Sequence, residues 1–62
     1  MDQELARQVR AWRGAVSRAR AAEVLGMPRR TYEKIELGRG FRYPALLRHA
    51  MRSTDPEGRR LK

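Results

Sequence analysis

The chain has 62 residues, with 15 Lys and Arg against 7 Asp and Glu for a net charge of +8, one histidine and no cysteine. This length predicts a single domain with a small core, and the absence of cysteine excludes disulfides and thiolate metal sites. One histidine, no paired carboxylates and no phosphate-binding glycine loop argue against an enzyme, a metal, a cofactor or a small-molecule ligand. The positive charge favours a polyanionic partner, either nucleic acid or an anionic membrane surface.

The hydropathy pattern gives no sign of a membrane segment. No stretch approaches the roughly 20 apolar residues that span a bilayer, and the N-terminal segment MDQELARQVR lacks the apolar core of a signal peptide. We therefore expect a cytoplasmic protein.

A first helix is predicted between Asp2 and Arg13. Asp2 is a candidate N-cap, and Gly14 follows the helix in the position where a terminating glycine is common. The apolar residues at the spacing of one helical face are Leu5, Val9 and Trp12.

Two further helices are predicted on either side of a tight turn. Ser17 is the candidate N-cap of the second helix, and Gly26 stops it. Pro28 opens the third helix, predicted over residues 28–37, because proline is favoured in a first helical turn. Gly38 ends the third helix. The inner faces of this pair are predicted to contain Ala21, Ala22, Leu25, Tyr32 and Ile35.

A fourth helix is predicted to begin at Pro44, after a loop in which Gly38 and Gly40 supply unusual backbone angles. Residues 53–62 combine turn-forming and basic residues, which predicts a flexible basic tail. No segment has the alternation of a β-strand. The expected architecture is an all-α domain over residues 1–52, a compact bundle of four or five short helices with a central helix-turn-helix.

The segment around the predicted turn resembles a known family. The line SRARAAEVLGMPRRTYEKIELGRGFRYP is similar to the helix-turn-helix of the lambda-repressor-like proteins, the Xre/Cro group of bacterial and phage regulators. The matching positions are Ser17, Ala22, Leu25, Gly26, Met27, Thr31, Tyr32, Ile35, Glu36 and Gly38, followed by Arg39 and Pro44. With the first and fourth helices the resemblance covers residues 3–52. It implies that the third helix lies in the major groove of DNA, with its N-terminal residues facing base edges.

The exposed positions of the third helix are the candidate base contacts. Arg29 and Arg30 open the helix, and Lys34 returns to the same face about one turn later. Arginine can donate two hydrogen bonds to guanine O6 and N7, and Thr31 can reach a phosphate or a thymine methyl group. Glu33 can accept from cytosine N4 or can orient Arg29 or Arg30. Cations at a helix N-terminus oppose the helix dipole, which favours a functional reason for their placement.

Phosphate contacts are implied on both sides of this helix. Ser17 and Arg18 lie at the N-terminus of the second helix, where backbone N–H groups and positive charge suit a phosphate. The loop after the third helix supplies Arg39 and Arg42. Arg42 lies between two aromatic residues, and covering their rings is the alternative to binding DNA.

Two structural contacts are also expected. Glu36 is predicted to form an ion pair with Arg13 or Arg10, which would join the third helix to the first. The fourth helix carries more apolar side chains than four short helices can bury, which predicts a homodimer contact there. The predicted dimer residues are Phe41, Leu46, Leu47 and Met51.

The leading hypothesis is a sequence-specific double-stranded DNA-binding transcriptional regulator. It would bind inverted repeats as a homodimer and act as a repressor or autorepressor, as in phages and mobile elements. One alternative is a protein-interaction module of the antitoxin or adaptor kind that uses an apolar surface of the fourth helix. The other is an architectural DNA binder, which would show no preference between sequences.

Overall fold

The structure is a computed structural model that describes residues 3–60, and these residues form four helices and no β-strand. The helices are α1 (Gln3–Arg13), α2 (Arg18–Leu25), α3 (Arg29–Glu36) and α4 (Pro44–Ser53). The predicted all-α bundle of short helices is confirmed. Asp2, the candidate N-cap of α1, lies outside the described residues. No helix in this part of the chain is long and apolar enough to cross a membrane.

The core lies between two pairs of helices, because α1 and α2 each pack against both α3 and α4. Its buried members are Leu5, Val9, Ala21, Ala22, Tyr32, Ile35, Leu47 and Met51, and Trp12, Leu25, Met27 and Phe41 pack partly buried against them. Burying one large apolar side chain contributes about 1.5–3 kcal/mol. Since the chain has no cysteine, these contacts replace the covalent links that many small domains use.

The turn between α2 and α3 is set by one glycine. Gly26 adopts φ 72°, its N–H donates to the Glu23 carbonyl at 3.1 Å, and the Met27 N–H donates to the Ala22 carbonyl at 3.0 Å. This pair of bonds satisfies two carbonyls at the end of α2 and ends the helix. Pro28 is the N-cap residue and has an extended backbone, so α3 begins at Arg29, one residue later than predicted, and it ends at Glu36, one residue earlier.

The end of α3 repeats this arrangement. Gly38 adopts φ 84°, its N–H donates to the Ile35 carbonyl at 3.0 Å, and the Arg39 N–H donates to the Lys34 carbonyl at 3.0 Å. Gly38 is buried, and the side chain of Gln3 from α1 lies against it. The glycine therefore serves both the helix end and the close approach of α1.

The segment that the sequence predicted to be a flexible tail forms a turn as far as Arg60. Asp55 Oδ1 accepts from the Arg59 N–H at 2.7 Å, and Thr54 and Arg60 form an isolated antiparallel bridge. Aspartate favours such turns because its side chain bonds to nearby backbone N–H groups. Trp12 Nε1 donates to the Thr54 carbonyl at 2.8 Å, so the start of this turn is joined to α1.

Of the four predicted dimer residues, only Leu46 is exposed in the single chain. Leu47 and Met51 are only 3% and 8% exposed because they lie in the core of the single chain, and Phe41 packs partly buried against that core. Leu46 is 65% exposed and is the predicted dimer residue that remains open to solvent. Tyr43, at the N-cap of α4, is 55% exposed.

An alanine at Gly38 and an alanine at Gly26 are expected to destabilise the protein by similar amounts. At both positions a Cβ atom in the left-handed region costs about 1–2 kcal/mol. At Gly26 a Cβ would meet no atom within 4 Å, and at Gly38 its nearest neighbour would be the terminal amide of Gln3, an exposed and flexible side chain that can move aside at little cost. Urea denaturation of Gly26→Ala and Gly38→Ala measures the two losses of unfolding free energy.

The variant Gln3→Ala tests whether the Gln3 side chain moves aside without cost. On the Gln3→Ala background, Gly38→Ala should cost about as much as it does when Gln3 is present, because the backbone cost dominates in both. If Gly38→Ala costs clearly more when Gln3 is present, the Gln3 side chain is held against Gly38 and cannot move aside.

Candidate nucleic-acid interface

The two faces of α3 have different roles. The inner face is buried and consists of Tyr32, Ile35 and Glu36. The outer face presents the predicted base-contacting residues: Arg29, Arg30 and Lys34 are exposed, and Thr31 and Glu33 are half-buried. The fold therefore holds one side of α3 in the core and leaves all the predicted base contacts at least partly open to solvent.

Three residues spaced four apart, Arg29, Glu33 and Leu37, form one row along the outer face of α3. Arg29 Nε lies 3.0 Å from Glu33 Oε2, so the structure contains the contact in which Glu33 orients Arg29. Leu37 continues this row beyond the end of the helix and is 66% exposed. Leu37 was not among the predicted site residues, although its spacing from Glu33 places it on this face.

The remaining cations of this region have no carboxylate partner among the described residues. Arg30 and Lys34 are exposed on α3, and Arg39 and Arg42 are exposed in the following loop. Within residues 3–60, no carboxylate lies within ion-pair distance of these four side chains. Their charge is therefore available to an anionic partner.

Glu36, on the buried face of α3, connects this helix to α1 and α2. The predicted ion pair is present: Arg13 Nε lies 2.6 Å from Glu36 Oε2, and Arg13 Nη2 donates to Oε1 at 3.3 Å. Arg10, the alternative partner, donates from Nη1 to the Glu36 backbone carbonyl at 2.7 Å. Arg18 Nε lies 3.3 Å from Glu36 Oε1. A residue of α3 thus contacts α1 twice and α2 once.

The environment of Glu36 changes the acidity of its neighbours. Burial tends to raise the pKa of Glu36, but the hydrogen bonds and charge of Arg13 outweigh it, so the pKa lies below its ordinary value. The Glu36 carboxylate in turn raises the pKa of Arg13. Burial, together with the nearby Glu36 charge, raises the pKa of Tyr32. The Tyr32 hydroxyl is buried, and no group among residues 3–60 forms a hydrogen bond with it. Its raised pKa keeps it protonated.

The start of α2 carries two of the predicted phosphate contacts. Ser17 caps the helix, since its hydroxyl oxygen accepts from the Arg20 N–H at 3.1 Å, and its hydroxyl hydrogen stays free to donate. Arg18 has a half-exposed side chain that already contacts Glu36. The sequence did not indicate this second role for Arg18, because it depends on how α2 crosses α3.

A cleft of about 300 Å³ opens where α1, α2 and α3 meet. Its lining residues are Arg10, Arg18, Glu33, Glu36 and Leu37. The cleft combines two guanidinium groups with two carboxylates, so its charges are largely balanced. Within the described residues no group of three or more His, Asp or Glu side chains could hold a metal ion.

The chain matches no protein-family model, and it matches neither a curated protein nor a solved structure. The basis for a function is therefore the arrangement of charge and burial around α3.

Replacing Glu36 by glutamine is expected to lower the free energy of unfolding by about 1–3 kcal/mol, because Arg13 then loses its charged partner in a buried site. Glu33→Gln is the matched control on the same helix. Its ion pair with Arg29 is exposed, and its loss should cost less than about 1 kcal/mol. Urea denaturation at neutral pH measures both. Equal effects of the two substitutions would contradict a special role for the buried carboxylate.

The effect of Glu36→Gln should also depend on pH. Because folding lowers the pKa of Glu36, its ionised form contributes stability above the ordinary carboxylate pKa of about 4.3, and this contribution is lost as the pH falls through the folded value. The stability difference between wild type and Glu36→Gln should therefore shrink on acidification. A difference that stays constant down to about pH 2 would show that the charge is not responsible.

Proposed function

We propose that this chain is a sequence-specific double-stranded DNA-binding transcriptional regulator of the lambda-repressor-like helix-turn-helix kind. The observation that carries the proposal is the division of α3, whose inner face is buried while Arg29, Arg30 and Lys34 project from its outer face. In this proposal α3 enters the major groove with its N-terminal end towards the base edges. A helix of 8 residues is about 12 Å long and suits such an insertion.

Each exposed side chain of α3 has a specific part in the proposed readout. Arg30 donates two hydrogen bonds to a guanine, and Lys34 reaches an acceptor about one turn further along the groove. Arg29 is held by Glu33 at 3.0 Å before DNA arrives, which reduces the side-chain entropy that binding must remove. Thr31 contacts a phosphate or a thymine methyl group, and Leu37 adds an apolar contact at the far end.

Contacts to phosphates set the position of α3 in the proposal. Ser17 and Arg18 meet one strand at the start of α2, where backbone N–H groups point towards solvent. Arg39 and Arg42 meet the backbone on the other side, and the absence of carboxylate partners within residues 3–60 leaves both charges available. These contacts contribute affinity on any duplex, whereas α3 selects the sequence.

The regulatory output follows from occupation of DNA. We propose a homodimer on an inverted repeat, acting as a repressor or autorepressor at the site that it covers. Since Leu47 and Met51 are buried, the dimer contact consists of exposed side chains at the start of α4, Tyr43 and Leu46.

Two other functions are less well supported by the same observations. An antitoxin-like or adaptor-like role would depend on an exposed apolar surface of α4. Because Leu47 and Met51 are buried, most of that surface is absent. An architectural DNA binder would use the same cations, but it would bind all duplexes alike.

Selection from random duplex DNA, followed by substitution in α3, tests the proposed readout. Arg30→Ala and Lys34→Ala should each weaken binding to the selected duplex by roughly 5- to 150-fold and should weaken binding to a scrambled duplex much less. Arg52→Ala is the matched control, since Arg52 is an exposed arginine on α4. Equal losses on selected and scrambled duplexes would assign α3 to electrostatic contact and would favour the architectural function.

Substitution of a phosphate-contacting residue should change the affinity for DNA differently from substitution of a base-contacting residue. Arg39→Ala should lower affinity on selected and scrambled duplexes by the same factor, and should reduce the slope of log affinity against log salt by about 1. If the slope is unchanged, Arg39 does not contact a phosphate.

Sedimentation of the protein with duplexes that carry one or two half-sites tests the dimer. Two chains should bind an inverted repeat cooperatively, and Leu46→Glu should abolish this cooperativity while leaving binding to a single half-site within about twofold of wild type. Independent binding of two wild-type chains would contradict the dimer without affecting the readout by α3.

A further inference from the structure

A second groove lies on a different side of the molecule from the outer face of α3. It opens between α1 and α4, has a volume of about 270 Å³, and contains no residue of α3. Its lining residues are Gln8, Trp12, Arg48, Met51 and Arg52. Trp12 and Met51 are mostly removed from solvent, while Gln8 and Arg52 are exposed. The groove therefore has an apolar floor and a polar, positively charged rim.

The charge on this rim is not neutralised by any carboxylate in the part of the chain that the structure describes. Arg48 Nε donates to Gln8 Oε1 at 2.7 Å, which positions the guanidinium group through a neutral amide and leaves its charge in place. No carboxylate within residues 3–60 forms an ion pair with Arg48 or Arg52. By contrast, the exposed Arg7 and Arg20 pair with glutamates three residues away.

The sequence around this groove also has an excess of basic over acidic residues. From Leu37 to Thr54 the chain contains four arginines and a histidine but no aspartate or glutamate. The cleft beside α3 differs, because Glu33 and Glu36 line it and offset the arginines there. An incoming carboxylate would be repelled by these glutamates in the cleft, whereas it would meet unopposed positive charge in the groove between α1 and α4.

We propose that the groove between α1 and α4 is a docking site for an acidic, partly apolar segment of another protein. One large apolar side chain of that segment packs against Trp12 and Met51, and carboxylates beside it pair with Arg48 and Arg52. This combination matches the anatomy of protein recognition sites, in which an apolar anchor fills a pocket and arginines bind carboxylates at its edge.

The charge distribution also favours this partner over a second copy of the chain and over an anionic membrane. A second copy of the chain, placed symmetrically on the groove, would bring the same unneutralised arginines of both copies together. An anionic membrane would satisfy the arginines, but membrane-surface helices bury a broad apolar face, and this floor consists of two side chains. The groove shares no lining residue with the proposed DNA contacts on α3.

Trp12 provides a direct measurement, since it is the only tryptophan of the chain and it lines the groove. The probe is a synthetic helical peptide with leucine at positions i, i+3 and i+7 and glutamate between them, without tryptophan or tyrosine. Titration should change the Trp12 fluorescence saturably. A peptide with lysine in place of glutamate, and one with alanine in place of leucine, should each bind at least about tenfold more weakly.

Two double variants of equal net charge test the location. Arg48→Gln with Arg52→Gln should weaken binding of the acidic peptide by about tenfold, and Arg7→Gln with Arg59→Gln should change it by less than about twofold. Circular dichroism checks that both variants fold. If the groove variant does not fold, Arg52→Gln and Arg7→Gln replace the pairs, because Arg52 makes no side-chain hydrogen bond within residues 3–60.

Several outcomes would overturn the proposal. Equal weakening by the two variants, or equal binding of the acidic and lysine peptides, would show that the groove does not recognise acidic segments. Dimerisation in sedimentation that the groove variant abolishes would assign the groove to a second copy. A Trp12 response to phosphatidylserine vesicles or to scrambled duplex DNA, abolished by the same variant and absent with the acidic peptide, would assign it to a membrane or to nucleic acid.

Discussion

The buried carboxylate of Glu36 is the interaction on which the position of α3 depends. An ionised carboxylate away from water is costly, and the cost is offset here because Arg13 contacts both of its oxygens and Arg18 contacts one of them. These arginines come from the end of α1 and the start of α2, so one side chain of α3 connects three helices. A chain of 62 residues without cysteine has few other ways to hold a short helix rigidly at a fixed angle.

The same contacts divide the arginines into two groups. Arg13, Arg18 and Arg29 pair with carboxylates in the folded protein, and these pairs stabilise the fold or orient a side chain on α3. Arg7, Arg20 and Arg59 pair with carboxylates at the surface. By contrast, the cations without an ion-pair partner within residues 3–60 include Arg30 and Lys34 on the outer face of α3, Arg39 and Arg42 in the loop after it, and Arg48 and Arg52 on the rim of the groove between α1 and α4. The net charge of +8 therefore acts locally, at surfaces from which carboxylates are missing.

Rigidity beneath the outer face of α3 has a consequence for recognition. Tyr32 and Ile35 lie in the core, and the two backbone bonds at Gly26 and Met27 hold the start of α3 close to the end of α2. In the proposed DNA complex, the exposed arginines are carried by a backbone that is already ordered, so the entropy cost of association falls mainly on their own side chains. The floor of the groove between α1 and α4 is also held by the core, because Met51 is buried there.

The sequence by itself determined the local features of this protein. The all-α class, the cap at Ser17, the glycine turns at Gly26 and Gly38 and the helix start at Pro44 all follow from backbone preferences of single residues, which act over a few positions. The pairing of Arg13 with Glu36 was also predictable, because a buried glutamate needs a cation and α1 offered two candidates.

Only the tertiary structure decided which apolar side chains are buried and which cations are already paired. Leu46 and Leu47 are neighbours in the sequence, yet Leu46 is 65% and Leu47 3% exposed, because α4 packs with one face against α1 and α2. The contact of Arg18 with Glu36, the exposure of Leu37 and the groove between α1 and α4 depend equally on how the helices cross. Such contacts join residues far apart in the chain, and no local preference specifies them.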